Sequence, residues 1–189
     1  MKQLALAAAL AACLTAAAPA WAQKVRLATS MGDIVLQLDA EKAPKTVANF
    51  VQYVKAGHYN GTVFHRVMDG FMIQGGGMTA DMQEKSTRAP IPLEASNGLS
   101  NLRGSVAMAR TMAPNSATAQ FFVNVGDNLR LDAANSPDGN GYAVFGKVID
   151  GMDVVDRIKA VPVGSRAGHQ NVPLQNVLIK QATLIGESK

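Results

Sequence analysis

Cysteine is nearly absent from this 189-residue chain, where Cys13 stands alone. A single thiol can form no intramolecular disulfide, so the fold must hold by its core. Charge is sparse as well: charged residues make up 17% of the chain, and its 18 basic and 14 acidic side chains are scattered rather than gathered into a stripe. That scatter excludes the basic face of a nucleic-acid binder. The chain has no low-complexity linker, no internal repeat and no apolar run of the roughly 20 residues that a bilayer-spanning helix needs. Its three histidines, His58, His65 and His169, show no metal-ligand spacing, and His65 reads as a core histidine bonded to backbone. Gly75-Gly76-Gly77 lacks the lysine and hydroxyl pair of a phosphate loop and reads instead as a place of close backbone approach. No metal and no other cofactor is expected.

What the first segment does contain is an export signal. Lys2 gives a positive start, residues 4–18 are apolar and rich in alanine, and Ala20-Trp21-Ala22 before Gln23 has the small-x-small form that signal peptidase cuts. Leu10-Ala11-Ala12-Cys13 competes with it, because it matches the box cleaved and lipidated in bacterial lipoproteins. The expected division is a signal peptide over residues 1–22 and one domain over 23–189, periplasmic after export. The alternative is a lipoprotein anchored through Cys13. Cleavage after Ala22 removes the only thiol, and the remaining length suits one domain with a sizeable core.

From residue 25 onward the pattern is rich in strands. Residues 25–29 and 34–38 alternate around Ser30-Met31-Gly32-Asp33, which predicts a hairpin. Pro44–Lys55 carries Val47, Phe50, Val51 and Val54 at helical spacing, with proline at its start and Gly57 just past its end. That predicts a helix with one buried face. Further strands are predicted over residues 62–67, 71–75, 105–109, 121–125, 143–148 and 177–185, with a short helix over 152–158. The long loops 79–101 and 127–141 are expected to shape a groove.

One arginine, Arg66, sits in FHRVMDGFMIQGGG, residues 64–77, a segment that otherwise reads as buried strand. A charge there needs either an acidic partner at the sheet rim or a task. Downstream come GSVAMAR (104–110), SATAQFFVNV (116–125) and YAVFGKVIDGMDVVDRI (142–158). Taken together, over about residues 25–185, these motifs resemble the cyclophilins, the prolyl isomerases, in the form that bacterial exported members carry. The resemblance implies a mainly β fold, a closed eight-stranded antiparallel β-barrel capped by two α-helices. It implies a peptidyl-prolyl cis-trans isomerase that accelerates the folding of exported proteins by stabilising the twisted X-Pro bond without covalent chemistry. A binding or chaperone module that uses the same groove without turnover is the alternative.

The resemblance also assigns residues. Arg66 is implied to be the donor to the prolyl nitrogen, a role that suits a permanently charged fork of N–H groups, and Gln74 to orient it and touch the peptide backbone. Phe71, Met72, Phe122 and Leu131 are implied to hold the proline ring, while Gln120 and the backbone of Ala109 and Arg110 bind the flanking residues. Tyr142, where many relatives carry histidine, can hydrogen-bond a substrate carbonyl. Strand alternation sets Phe64 and Arg66 on one face with His65 and Val67 on the other, and sets Phe122 with Gln120 away from a core-facing Phe121. The expected partners are proline-containing polypeptides and unfolded exported proteins, with no nucleic acid, no stable membrane insertion and a monomeric state.

Three positions depart from the family pattern. Arg130 stands where cyclosporin-sensitive relatives have tryptophan, so weak or no cyclosporin binding is expected. Met68-Asp69 replaces an apolar residue and proline, which is expected to alter the turn before Gly70 rather than the pocket. Arg110 replaces the commoner asparagine and is expected to act through its backbone.

Overall fold

The structure, a computed structural model, describes residues 23–186. The expected signal peptide, its cleavage site and Cys13 lie outside those residues. Strand β1 (Lys24–Thr29) buries Val25, Leu27 and Thr29, and β2 (Gly32–Leu38) buries Ile34, Leu36 and Leu38, so both put every second residue into one core. They pair antiparallel across the two residues Ser30 and Met31, with the Thr29 hydroxyl donating to Gly32 O at 2.6 Å.

Helix α1 (Pro44–Lys55) buries Val47, Phe50, Val51, Tyr53 and Val54. Its proline sits in the first turn, where a missing N–H costs nothing. Ala43 offers that turn no side-chain cap, and the loop residue Glu94 supplies one instead: its carboxylate accepts from Lys45 N at 3.1 Å and from Thr46 N at 2.8 Å. A carboxylate at this end also opposes the positive pole of the helix.

Strand β3 (Thr62–Met68) and β4 (Met72–Thr79) form the next hairpin, followed by β5 (Ser105–Met108), β6 (Phe121–Asn124), β7 (Val144–Asp150) and, after helix α2 (Met152–Lys159), the last barrel strand. Between α2 and that strand lie β8 (Val163–Arg166) and β9 (His169–Pro173), and the last barrel strand is β10 (Leu178–Ile185). Eight strands close in the order β1-β10-β3-β4-β6-β5-β7-β2, with every pairing antiparallel, so the barrel itself has no open edge. Phe50 of α1 reaches the barrel interior, 5.0 Å from Phe145, 5.0 Å from Tyr59 and 5.4 Å from Phe121 by ring centroids. From α2, Val154, Val155 and Ile158 join the same core.

The closed barrel and both helices match the sequence expectation. The β8–β9 hairpin is additional, since no element is predicted from sequence between the second helix and residue 177. Its residues are mostly exposed and lack the apolar alternation that marks a strand, but Ala167 and Gly168 take φ of 50° and 80° and turn the chain in two residues. The hairpin packs on β3. Strand β4 also runs further than expected, through all three glycines. At Gly76 an added Cβ would lie 2.8 Å from Tyr59 and 2.9 Å from Phe121, and at Gly77 it would meet the Gln120 side chain. The close approach read from these glycines is therefore against Tyr59, Phe121 and Gln120.

Candidate active site

The β3–β4 pairing is irregular where the site forms. Phe64 is opposite Gly75, but Arg66 is opposite Gln74, which makes His65 an extra residue on β3. A bulge of this kind resets the alternation of faces. Phe64 and Val67 both enter the main core, and Arg66 turns outward with Met68. The expected sharing of one face by Phe64 and Arg66 is thus corrected: the bulge adds a residue that simple alternation cannot count.

Arg66 Nη1 donates to Gln74 Oε1 at 3.3 Å, and Gln74 Nε2 donates onward to Gln120 Oε1 at 2.9 Å. Arg66 Nη2 lies 3.3 Å from Met68 Sδ, and the guanidinium is 6.0 Å from the Phe71 ring centre. Among the described residues no carboxylate pairs with Arg66. The rim ion pair that the sequence left open is therefore not formed here.

Beside Arg66 opens a cavity of about 190 Å3. Its apolar side is Phe71, Met72, Phe122 and Leu131, and its remaining wall is Gln74, Ala109, Arg110 and Tyr142. Met72 and Phe122 are 2% and 4% exposed and rest on Ala107 and Val144, a small apolar cluster separate from the barrel core. Phe121 faces the core as expected. Nine of the ten residues named from sequence line this one cavity. The tenth, Gln120, lines an adjoining cavity of about 470 Å3 that shares Arg66 and Gln74 with it.

Two of the expected departures reach further than sequence implied. Met68 packs on the cluster beneath the cavity, so its replacement touches the pocket as well as the turn. Asp69 does hold the turn, accepting from Gly70 N at 2.8 Å and pairing with Lys159 at 3.0 Å. The Arg110 side chain is 2% exposed, pairs with Asp138 at 2.5 Å, donates from Nε to Gly141 O at 2.8 Å, and lies 4.6 Å over the Tyr142 ring. It braces the loop that carries Tyr142, a role its backbone alone could not fill. The Ser136 hydroxyl and then Arg110 hold the Asp138 carboxyl below the usual carboxylate range. Arg130 lies over the outer face of Phe71 at 4.9 Å.

Sequence reasoning missed the polar layer behind the groove. Asn128 Nδ2 donates to Phe71 O at 2.8 Å and to Asn124 Oδ1 at 2.7 Å, while Asn124 donates to Ser105 Oγ at 2.9 Å. Buried amides with full partners fix a backbone in place. The only signal was an asparagine inside an apolar strand, at Asn124. His65 is 5% exposed, and its Nδ1 has no hydrogen-bond partner among the described residues. Burial, followed by the field of His169, lowers its pKa to about 4. Among the described residues no group of three or more His, Cys, Asp or Glu side chains could hold a metal ion.

A family model described as "Cyclophilin type peptidyl-prolyl cis-trans isomerase/CLD" matches residues 24–184. The chain is 60% identical over 163 residues to peptidyl-prolyl cis-trans isomerase cyp18 of Streptomyces antibioticus, covering 86% of this chain and 98% of that one. It is 55% identical over 157 residues to peptidyl-prolyl cis-trans isomerase B of Escherichia coli K12, covering 82% and 96%. A crystal structure of a cyclophilin type isomerase of Cryptosporidium parvum, solved in the presence of the dipeptide Ala-Pro, is similar with a TM-score of 0.71 at 27% identity, covering 87% of this chain and 100% of that one.

Proposed function

The chain belongs to the cyclophilin-type peptidyl-prolyl cis-trans isomerases, and from that premise we propose how its own side chains turn over an X-Pro bond. Rotation about the C–N bond meets a barrier of about 18–20 kcal/mol because the nitrogen lone pair is delocalised into the carbonyl. No bond breaks in crossing it, so the reaction calls for no nucleophile. What lowers the barrier is tighter binding of the twisted bond than of either planar one. Once twisted, the prolyl nitrogen regains a lone pair and accepts a hydrogen bond, and Arg66 is its donor. The proline ring lies in the cavity between Phe71, Met72, Phe122 and Leu131, which fixes the ring while the preceding carbonyl rotates. Gln120 and the backbone of Ala109 and Arg110 hold the flanking residues, and the Tyr142 hydroxyl donates to a substrate carbonyl. A gain of about 10⁵ in rate corresponds to about 7 kcal/mol, within reach of a few charge-assisted contacts acting only on the twisted state.

The observation that carries this reading is the placement of Arg66: it is held by Gln74 at the edge of an apolar cavity and spends its charge on no carboxylate among the described residues. A proline-bearing ligand for this chain is supported by the Cryptosporidium parvum relative, whose crystal structure was solved in the presence of the dipeptide Ala-Pro. The clients are exported polypeptides met in the periplasm, supported by Lys2, the apolar stretch and Ala20-Trp21-Ala22. The protein works there as a monomer, free of the membrane.

A protease-coupled assay with proline peptides on residues 23–189 tests the reading. Acceleration of cis-to-trans conversion is expected, lost in Arg66→Ala. Peptide binding without acceleration would instead favour the non-catalytic module.

A further inference from the structure

The contact between Arg66 and Met68 has no part in the reaction described above. Met68 ends β3, is only half-buried, and packs against the cluster of Met72, Ala107, Phe122 and Val144, with its sulfur 3.3 Å from Arg66 Nη2. A thioether is a weak acceptor, so Arg66 can give up this contact when a substrate nitrogen is offered. One added oxygen would end that freedom. A sulfoxide is polar, and an oxygen on this sulfur falls within hydrogen-bond reach of Nη2, where the guanidinium charge strengthens the bond.

We propose that Met68 is an oxidation site at which a peroxide lowers the turnover of this isomerase, by turning the sulfur beside Arg66 into an acceptor that holds the guanidinium away from the prolyl nitrogen. The proposal rests on Arg66 being the donor. In the step itself a sulfur lone pair attacks one peroxide oxygen, the O–O bond breaks and an S–O bond forms. The transferred oxygen loses its proton to the departing hydroxide, which leaves as water. Sulfur gives up two electrons and the peroxide takes them. A methionine sulfoxide reductase reverses the change with two electrons from thiols, releasing the oxygen as water.

Selectivity follows from burial. Met72 and Met108 are 2% exposed and shielded from a dissolved oxidant, while Met112 is 84% exposed but does not join the groove cluster. Met31 and Met152 pack on the main core instead. Met68 is both reachable and in contact with Arg66.

The test treats wild type, Met68→Leu and Met112→Leu with limited hydrogen peroxide, locates added oxygen by peptide mass mapping, and compares each protein's turnover with its own untreated sample. Wild type and Met112→Leu are expected to lose about tenfold as Met68 gains one oxygen, with recovery after reductase treatment, while Met68→Leu keeps most of its rate. Equal losses in wild type and Met68→Leu, or full oxidation of Met68 without loss, would overturn the proposal. Untreated Arg66→Ala separates the two readings. Full turnover in it removes the donor role and this proposal together, and near-complete loss in it leaves the donor role standing whatever the peroxide result.

Discussion

Gln74 stands between Arg66 and Gln120, accepting from the arginine through Oε1 at 3.3 Å and donating to the second amide through Nε2 at 2.9 Å. Each amide is thereby fixed in orientation by the other. The guanidinium is held by two neutral acceptors, Gln74 Oε1 and the weaker Met68 Sδ, and keeps its remaining donors for the cavity.

Loss of Arg66 is expected to act on chemistry rather than on folding. Its side chain is half-exposed and carries no ion pair among the described residues, so Arg66→Ala should unfold at nearly the wild-type urea concentration. Its kcat/KM is expected to fall by about 10²–10³-fold, and that of Gln74→Ala by about tenfold. The double variant should be little worse than Arg66→Ala alone, because Gln74 acts through the arginine. Unchanged turnover in Arg66→Ala would sink the mechanism, and additive losses in the double variant would give Gln74 a role of its own.

His65 predicts a pH dependence of stability. Burial favours its neutral form, so the folded state takes up the proton only near pH 4, against an ordinary value of 6.5. Between those values the unfolded chain binds more protons than the folded one, and stability must fall as pH drops through that window. The loss amounts to at most about 3 kcal/mol and is complete below the folded value. Urea midpoints measured from pH 7 to 4 should fall less steeply for His65→Gln than for wild type. His58, whose pKa is also lowered by burial, leaves a residual slope in both. Parallel curves would show that folding does not lower the His65 pKa.

Arg130 governs the drug prediction. Its guanidinium covers Phe71 at 4.9 Å from the turn Leu129–Leu131, at the position to which the resemblance assigns an indole donor in cyclosporin-sensitive members. Wild type is expected to resist cyclosporin and Arg130→Trp to bind it more strongly, as inhibition curves in the isomerase assay would show. Nanomolar inhibition of the wild type would mean that the turn does not obstruct the drug.

The barrel and the cavity beside Arg66 were legible through the family resemblance, which short contiguous motifs carry, and nine of ten named side chains meet in one space. The facing of Phe64 and Arg66 was not legible. It depends on His65 bulging against β4, whose Gly76 and Gly77 are themselves displaced from Val63 and Phe64, and such a register shift is a property of two strands rather than of one. The β8–β9 hairpin escaped for another reason: its strands lie on the surface, so burial imposed no pattern on them. Arg110 was placed in the groove but given too small a part, and Met68 was assigned to the turn alone although it packs on the cluster beneath the cavity; which partner a long side chain reaches is set by loops far away in sequence, as Asp138 is from Arg110.

The last prediction concerns the start of the mature chain. Two cleavage signals compete, one ending at Ala22 and one placing Cys13 first. The fold accepts the first without loss: β1 begins at Lys24, and Gln23 contributes its carbonyl to Leu38 N at 2.8 Å, so a chain beginning at Gln23 keeps every pairing described for the barrel. A chain beginning at an acylated Cys13 would hold the barrel at a membrane through its lipid. The apolar stretch before Cys13 is also short for a lipoprotein signal, whereas Ala20-Trp21-Ala22 lies at an ordinary distance for signal peptidase. Intact-mass measurement on protein recovered from a bacterial host decides between them. A species beginning at Gln23 is expected, and one beginning at a lipidated Cys13 would move the enzyme to a membrane surface while leaving its groove chemistry unchanged.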